Sequence, residues 1–453
     1  MPIRTVSDVI SYLNAHTDYE KQQGGRTRDT FDLERMHEVC DALARPDLAY
    51  ACAHVAGTKG KGSTSRYLSA ALASQGLKVG LYTSPHLHKI NERIEIGGKP
   101  ISDARFVRAF ARVVSVLDEE RGGGKDLTFF ELLTLAAMVA FADAKVEVVV
   151  WEVGLGGRLD ATNVVSPAVT IITEIGLDHT QQLGDTITEI AREKAGIIKP
   201  GVPVVCGASL PEAVKVITLT ARDNEAPVVL FGREYSLRDF AREGTGIRFT
   251  ASIRDQKYAL ALPTPARHLA ENACHALAAL EILNVDEDLL PGPLDRDKAS
   301  AALAACAQPA RFEMFGGPPR TVIDSAHNEV SLKATLQTAR AIKGDSKIVL
   351  VCGVARDKDL EACLPPLAEA ADAAVFTPYN SPRCTDAQTL LTLYTKFGGK
   401  AGEIAKDPKA ALKRAREIAG ETGLIVVTGS TYLAGELRAG LVIPGRKSRG
   451  PKA

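Results

Sequence analysis

The stretch Ala56-Gly57-Thr58-Lys59-Gly60-Lys61-Gly62-Ser63-Thr64 decides how the rest of the chain is read. It lies between an apolar stretch at 51–55 and a segment with helical patterning. A glycine-rich turn from a strand into a helix N-terminus leaves backbone N–H groups free to hold phosphate oxygens. Lys61 then reaches the outer phosphates, and Ser63 or Thr64 offers a hydroxyl to Mg²⁺. The common phosphate loop, G-x-x-x-x-G-K-[ST], places its lysine after the second glycine, whereas here Lys61 precedes Gly62. Gly57, Thr58, Gly60, Lys61, Gly62, Ser63 and Thr64 are the candidate nucleotide-binding residues. A turn of this composition also serves as an ordinary surface loop, so the assignment depends on what surrounds it.

The 453 residues exceed one ordinary core, so two domains are expected. An apolar fraction of 45% with 24% charged residues is that of a soluble globular protein. Lys+Arg and Asp+Glu both number 55, which leaves no net field to attract nucleic acid or an anionic membrane. The basic tail at 446–452 reads as a solvated terminus. The 8 cysteines form no C-x-x-C pair and fall mostly in apolar segments such as Val351-Cys352. That favours reduced, buried thiols over disulfides or a zinc site. No stretch is long enough to span a bilayer and no apolar leader is seen, so a cytoplasmic protein is expected.

Valine- and isoleucine-rich runs at 146–151, 168–173 and 202–206 read as buried strands, and 65–75 and 130–142 as helices. Such alternation implies a parallel sheet whose ligands lie beyond the strands' C-terminal ends. Runs at 248–253 and 257–262 read as a hairpin at the edge of that sheet, followed by an alanine-rich helix over 268–283. The proline- and acid-bearing stretch 284–293 starts the domain junction. The βα rhythm resumes with strands at 321–324, 347–352, 373–377 and 424–428. The boundary is placed near Ala307: residues 1–306 form one domain, carrying the glycine-rich loop, and 307–453 a Rossmann-like second one. No internal repeat or low-complexity segment is present.

Further polar clusters fall where such a sheet places ligands. Ser84, after a short apolar strand, is a candidate Mg²⁺ ligand. Glu152 ends a strand and opens EVGLGGRLDATN (152–163), an arrangement suited to a hard cation beside phosphates. TEIGLDH (173–179) repeats it after the next strand. Taken singly, Glu152 is also explained as a capping carboxylate, His179 as a loop histidine and the glycines as turn formers. Together they converge on one crevice.

AGTKGKGST, YTSPHL, EVGLGGRLDATN, TEIGLDHTQQLGDT and REKAGIIKPG resemble the motifs of the folylpolyglutamate synthase and dihydrofolate synthase family, a branch of the Mur ligases. IDSAHN, ARDKDL and VTGSTYLAGELR extend the likeness through the second half. The resemblance implies an α/β fold: a Mur-ligase-like P-loop ATPase domain with a mostly parallel sheet, then a Rossmann-like α/β domain. It implies Ser84, Glu152, His179 and Lys194 as ligands of Mg²⁺ in two sites, with Lys194 as a carbamate. It places Asn272, Arg311 and Asp324 on ATP, and His327 and Ser430 with Lys61 and Lys194 at the reacting groups. Thr128, Phe130, Asp160 and Ala161 fall in its pterin pocket, although Phe130, heading an apolar helix, also suits the core. The implied partners are small molecules only: dihydropteroate or folate, L-glutamate and ATP, on a monomer.

Two departures stand out. The family's Asp-Gly-Ala-His-Asn-Pro reads here Asp324-Ser325-Ala326-His327-Asn328-Glu329, and its Pro-Gly-Arg reads Pro309-Ala310-Arg311. The expected activity is ATP-dependent addition of L-glutamate to a pterin-linked carboxylate through an acyl phosphate. Another Mur-type ligase shares the phosphate loop but not the SPHL and GLGGRLDATN segments. A non-catalytic ATP-binding regulator would not need metal-binding residues on several strand ends.

Overall fold

The computed structural model describes residues 3–19, 33–120, 127–285 and 289–441. The basic tail at 446–452 and positions 286–288 of the expected junction lie outside them. The first sheet is built from β1 (Ala51–Ala56), β2 (Val79–Tyr82), β3 (Ile94–Ile96), β4 (Lys99–Pro100), β5 (Val148–Glu152), β6 (Val169–Ile172), β7 (Val204–Cys206) and β8 (Val228–Leu230). Their order is β4-β3-β2-β5-β1-β6-β7-β8. The six strands from β2 to β8 in that order pair in parallel, while β3 and β4 add antiparallel at one edge. Runs such as Val-Val-Val-Trp-Glu in β5 are buried throughout, as strands covered on both faces must be.

Packing on this sheet explains the helices. Helix Phe129–Ala144 is apolar around its circumference and buried along nearly its whole length. Its Phe141 ring meets Trp151 edge-on at 5.4 Å, and Tyr82 meets Trp151 at 5.2 Å. Helix Lys61–Ser74 starts four residues earlier than the pattern suggested, because Gly60 adopts φ +90° and lets the turn begin inside the glycine loop.

The expected hairpin forms, but not at the edge of this sheet. β9 (Tyr235–Glu243), β10 (Gly246–Ile253) and β11 (Gln256–Leu262) make a separate sheet in the order β11-β10-β9. The long polar β9, which the hydrophobic pattern hid, provides the third strand. β10 and β11 then bury alternate residues on one face only.

A second main sheet comprises β12 (Glu313–Phe315), β13 (Arg320–Ile323), β14 (Ile348–Cys352), β15 (Ala373–Phe376), β16 (Gly402–Ile404) and β17 (Leu424–Thr428). The order is β12-β13-β17-β14-β15-β16, with only β12 antiparallel. Contacts divide the chain into two compact units. One comprises Met1–Arg238, Thr250–Leu260 and Glu271–Cys306; the other comprises Asp239–Phe249, Ala261–Ala270 and Ala307–Ala453. Ala266 and Leu269 belong to the second unit's core, beside Phe312, Val322, Leu350 and Phe376. Six of the 8 cysteines are buried and all are free thiols. Among the described residues no helix is long and apolar enough to cross a membrane.

Candidate active site

β1 runs straight into the glycine loop, and the loop is pinned to the end of β6. The Thr58 and Lys59 N–H groups donate to the Glu174 carbonyl at 2.8 and 3.4 Å. The Thr173 hydroxyl donates to the Lys59 carbonyl at 2.8 Å, and the Thr58 hydroxyl to that of Gly176 at 3.0 Å. Two glycines are required by contact and a third is tightly hemmed in. A Cβ at Gly57 would lie 1.9 Å from Thr173 Oγ1, one at Gly60 2.4 Å from Asn272 Oδ1, and one at Gly62 3.3 Å from both Glu152 carboxylate oxygens. Asn272 and Glu152 are therefore seated against the loop. Glu152, 4% exposed, also accepts the Ser84 N–H at 3.1 Å.

Two lysines converge on one atom. Lys61 Nζ and Lys194 Nζ both donate to the Gly57 carbonyl, at 3.0 and 2.9 Å. Burial, and then the Lys61 charge, lower the Lys194 amine to about 7 against the pull of Asp178, Asp160 and Glu193. A substantial neutral fraction at physiological pH follows. His179 caps a short helix in a left-handed conformation (φ +51°), and its backbone N–H bonds the Asp178 carboxylate at 3.0 Å. Among the described residues no group of three or more His, Cys, Asp and Glu side chains is placed to hold a metal ion. The expected ligands include only two of those types, Glu152 and His179. The loop nevertheless fits phosphate with a hard cation: it has no Cβ at three positions, a carboxylate beside it, and a buried Thr64 hydroxyl with no partner.

The four expected pterin-pocket residues lie on two segments, the start of helix Phe129–Ala144 and the loop after β5, which meet where Phe130 packs on Gly154. Thr128 caps helix Phe129–Ala144, its hydroxyl accepting the Glu131 N–H and its own N–H donating to the Glu131 carboxylate. The Phe130 ring fills the space over Gly154, where a Cβ would lie 2.5 Å from it. Asp160 draws the glycine loop around itself, accepting the Leu155 N–H at 2.9 Å and the Thr162 N–H at 3.0 Å, with Ala161 buried beside it. Burial raises the Asp160 carboxyl above its ordinary range, against these hydrogen bonds.

In the second unit, β13 and β17 are parallel neighbours, so the loops that leave them lie side by side. The Gly429 N–H donates to the Ala326 carbonyl at 2.8 Å, bringing Ser430 beside the Asp324–His327 turn. Asp324 accepts from the Phe312 N–H (2.7 Å), the Ala326 N–H (2.8 Å) and the Thr335 hydroxyl (3.0 Å). It thereby organises the turn that presents Arg311, whose guanidinium donates to the Ser325 hydroxyl. His327 Nδ1 lies 2.8 Å from the Ser325 carbonyl, so in the neutral ring Nδ1 carries the proton and Nε2 bears the lone pair.

The chain resembles known proteins over nearly its whole length. The Mur ligase middle domain matches residues 55–280, and the Mur ligase, glutamate ligase domain matches 310–431. The dihydrofolate synthase/folylpolyglutamate synthase of Bacillus subtilis is 33% identical, over 90% of this chain and 94% of its own length. That of Escherichia coli is 32% identical over 99% and 100%. The chain belongs to the dihydrofolate synthase/folylpolyglutamate synthase family. Among solved members, Mycobacterium tuberculosis folylpolyglutamate synthase complexed with ADP superposes with a TM-score of 0.88 at 32% identity, covering 98% of each chain. E. coli FolC in complex with DHPP and ADP gives 0.83 at 29%, covering 97% of this chain and 98% of its own.

The two departures from the family's motifs differ in their structural consequence. Ser325 does not adopt positive φ, and its hydroxyl anchors Arg311. Ala310, by contrast, is left-handed at φ +53° where the family has glycine. Glu329 heads helix Glu329–Ile342 and is ion-paired with Lys333, one turn on. Sequence reasoning placed Thr173 and Glu174 in a ligand-bearing strand-end cluster without foreseeing that they pin the phosphate loop, and it missed His54. The only signal for His54 was one polar residue inside a run read as apolar.

Proposed function

We propose that this chain is an ATP-dependent ligase that adds L-glutamate to the carboxylate of dihydropteroate, of (tetrahydro)folate, or of both. The observation that carries the reading is the convergence of Lys61, Lys194 and Glu152 on the glycine loop of a chain in this family. An acceptor carboxylate oxygen attacks the γ-phosphorus of ATP, ADP leaves, and an acyl phosphate results. The glutamate amine then attacks the acyl carbon, phosphate departs and the amine sheds a proton. Lys61 and the first-turn N–H groups offset charge developing on the transferred phosphoryl group. Asp160, Thr128, Phe130 and Ala161 hold the pterin acceptor. Asn272, Arg311 and Asp324 serve the nucleotide, and Ser430 and His327 the glutamate step, where His327 Nε2 suits the proton that the amine sheds.

Ser84, Glu152, His179 and Lys194 would hold Mg²⁺ in two sites, where it would supply charge neutralisation at the phosphates. An ammonium would repel that cation. A lysine lowered to about 7 is neutral often enough to take up CO₂, and as a carbamate it offers an oxygen pair instead. Labelling with ¹³C-bicarbonate tests this: a carbamate carbon signal in the protein that is lost in Lys194→Ala supports the modification, and no signal rejects it. Residues 1–306 serve as the ATP- and pterin-binding domain and 307–453 as the glutamate ligase domain, in a cytoplasmic monomer.

The deciding experiment is phosphate release from ATP with Mg²⁺ and L-glutamate, comparing dihydropteroate with tetrahydrofolate as acceptor. Release with dihydropteroate alone makes a dihydrofolate synthase, with tetrahydrofolate alone a polyglutamylating enzyme, and with both a bifunctional one. No stimulation by either rejects the reading in favour of a non-catalytic ATP-binding regulator.

A further inference from the structure

His54 sits in the middle of β1, fully buried, with strands on both sides: it is opposite Trp151 of β5 and Thr170 of β6. A histidine in the centre strand of a parallel sheet is out of keeping with the aliphatic run around it. Its Nε2 lies 2.8 Å from the Thr162 hydroxyl, which lies 2.5 Å from Asp160 Oδ1. The direction of this chain is set by chemistry. A carboxylate only accepts, so the Thr162 O–H donates to Asp160; its oxygen is then left to accept from His54, whose proton must be on Nε2. His54 Nδ1 is thereby a bare lone pair, buried and without a partner. An unpaired buried nitrogen is destabilising. A leucine or valine in this position would avoid that cost, so stability alone does not account for the histidine.

We infer that His54 is a positioning residue for the ligase reaction: through the Thr162 hydroxyl it fixes Asp160 and, with it, the acceptor-binding loop. The relay joins two parts that must keep register. β1 leads two residues later into the phosphate loop, while Asp160 holds the loop 154–161 by the Leu155 and Thr162 N–H groups. Without the His54 proton the Thr162 hydroxyl loses the donor to its oxygen, and with it the side-chain tie between the acceptor loop and the phosphate-loop strand; the Val153 N–H to Val55 carbonyl bond (2.9 Å) holds only the residue that precedes the loop. Burial lowers the His54 imidazole to about 3, so the ring stays neutral and the direction of donation does not reverse over the working pH range.

This inference rests on the reading of Asp160 as an acceptor contact, and the test separates the two. Steady-state kinetics of phosphate release, with dihydropteroate and tetrahydrofolate as acceptors, are measured for Asp160→Asn, Thr162→Val, His54→Leu, His54→Gln and the Thr162→Val/His54→Leu double variant. The expected result is an acceptor KM raised about tenfold in Thr162→Val and in His54→Leu, the loss of one hydrogen bond. KM for ATP stays unchanged, and the double variant is no worse than either single one, because both break the same chain. His54→Gln, whose amide N–H replaces the Nε2 donor, recovers most of the loss. Thr162→Val is nearly isosteric and reports even where His54→Leu folds poorly. An unchanged acceptor KM in Asp160→Asn overturns the reading of Asp160 itself. A raised acceptor KM in Asp160→Asn with none in Thr162→Val overturns the inference about His54. So do equal shifts in the KM for ATP, or a His54→Gln variant as impaired as His54→Leu.

Discussion

Two kinds of buried polar residue have consequences that can be measured one side chain at a time. Asp324, proposed to serve the nucleotide, has both oxygens engaged with two backbone N–H groups and the Thr335 hydroxyl. Asp324→Ala strands all three donors and should lower stability by about 3 kcal/mol, whereas Asp324→Asn retains one acceptor oxygen and should lose less. Urea denaturation of the two variants checks the order. His54 and His275 are both lowered to about 3 by burial. Unfolded, each titrates near 6.5, so between 6.5 and 3 the unfolded chain binds a proton that the folded chain refuses. The stability each contributes is therefore intact above 6.5 and falls on acidification, by up to about 1.4 kcal/mol per pH unit. Thermal unfolding from pH 6.5 to 5 should show this loss, and His275→Leu should flatten it.

At the scale of elements, function depends on how one loop is hemmed in. The turn from β1 to helix Lys61–Ser74 is shaped by neighbours far away in sequence: Thr173 closes on Gly57, and Asn272 closes on Gly60. Gly60→Ala must place a methyl in a left-handed conformation and 2.4 Å from Asn272 Oδ1. The strain costs about 1–2 kcal/mol before the clash is counted, so nucleotide affinity should fall at least about tenfold. Titration with ATP reads this directly. Gly316→Ala, where no atom lies within 4 Å, is the matched control and should leave affinity unchanged. The β9–β11 sheet teaches the converse lesson. Two alternating strands were visible in the sequence, but their partner β9 is polar along most of its length, so the hairpin was assigned to the wrong sheet edge.

For the whole molecule, the division into units is not a single cut. The second core takes in Ala266 and Leu269, 0% and 1% exposed, from far upstream of Ala307. A fragment of 307–453 leaves the second unit's core without Ala266 and Leu269. It should melt at least about 5 °C below the second unit of the intact chain, or fail to melt cooperatively. Circular dichroism of fragment and full chain distinguishes this from an autonomous domain that melts unchanged.

The sequence by itself determined the strand–helix alternation, because fully buried parallel strands must be continuous aliphatic runs. It also determined the residues ending those strands, because glycine, lysine and carboxylate in that order have few other uses. What only the tertiary structure decided is pairing across distance. That Lys61 and Lys194 share the Gly57 carbonyl, that Asn272 abuts Gly60, and that His54 reaches Asp160 through Thr162 depend on packing between segments as much as 212 residues apart (Gly60 to Asn272, 272 − 60). Local composition sets which groups a strand end offers; the register of β1 between β5 and β6 sets which of them meet.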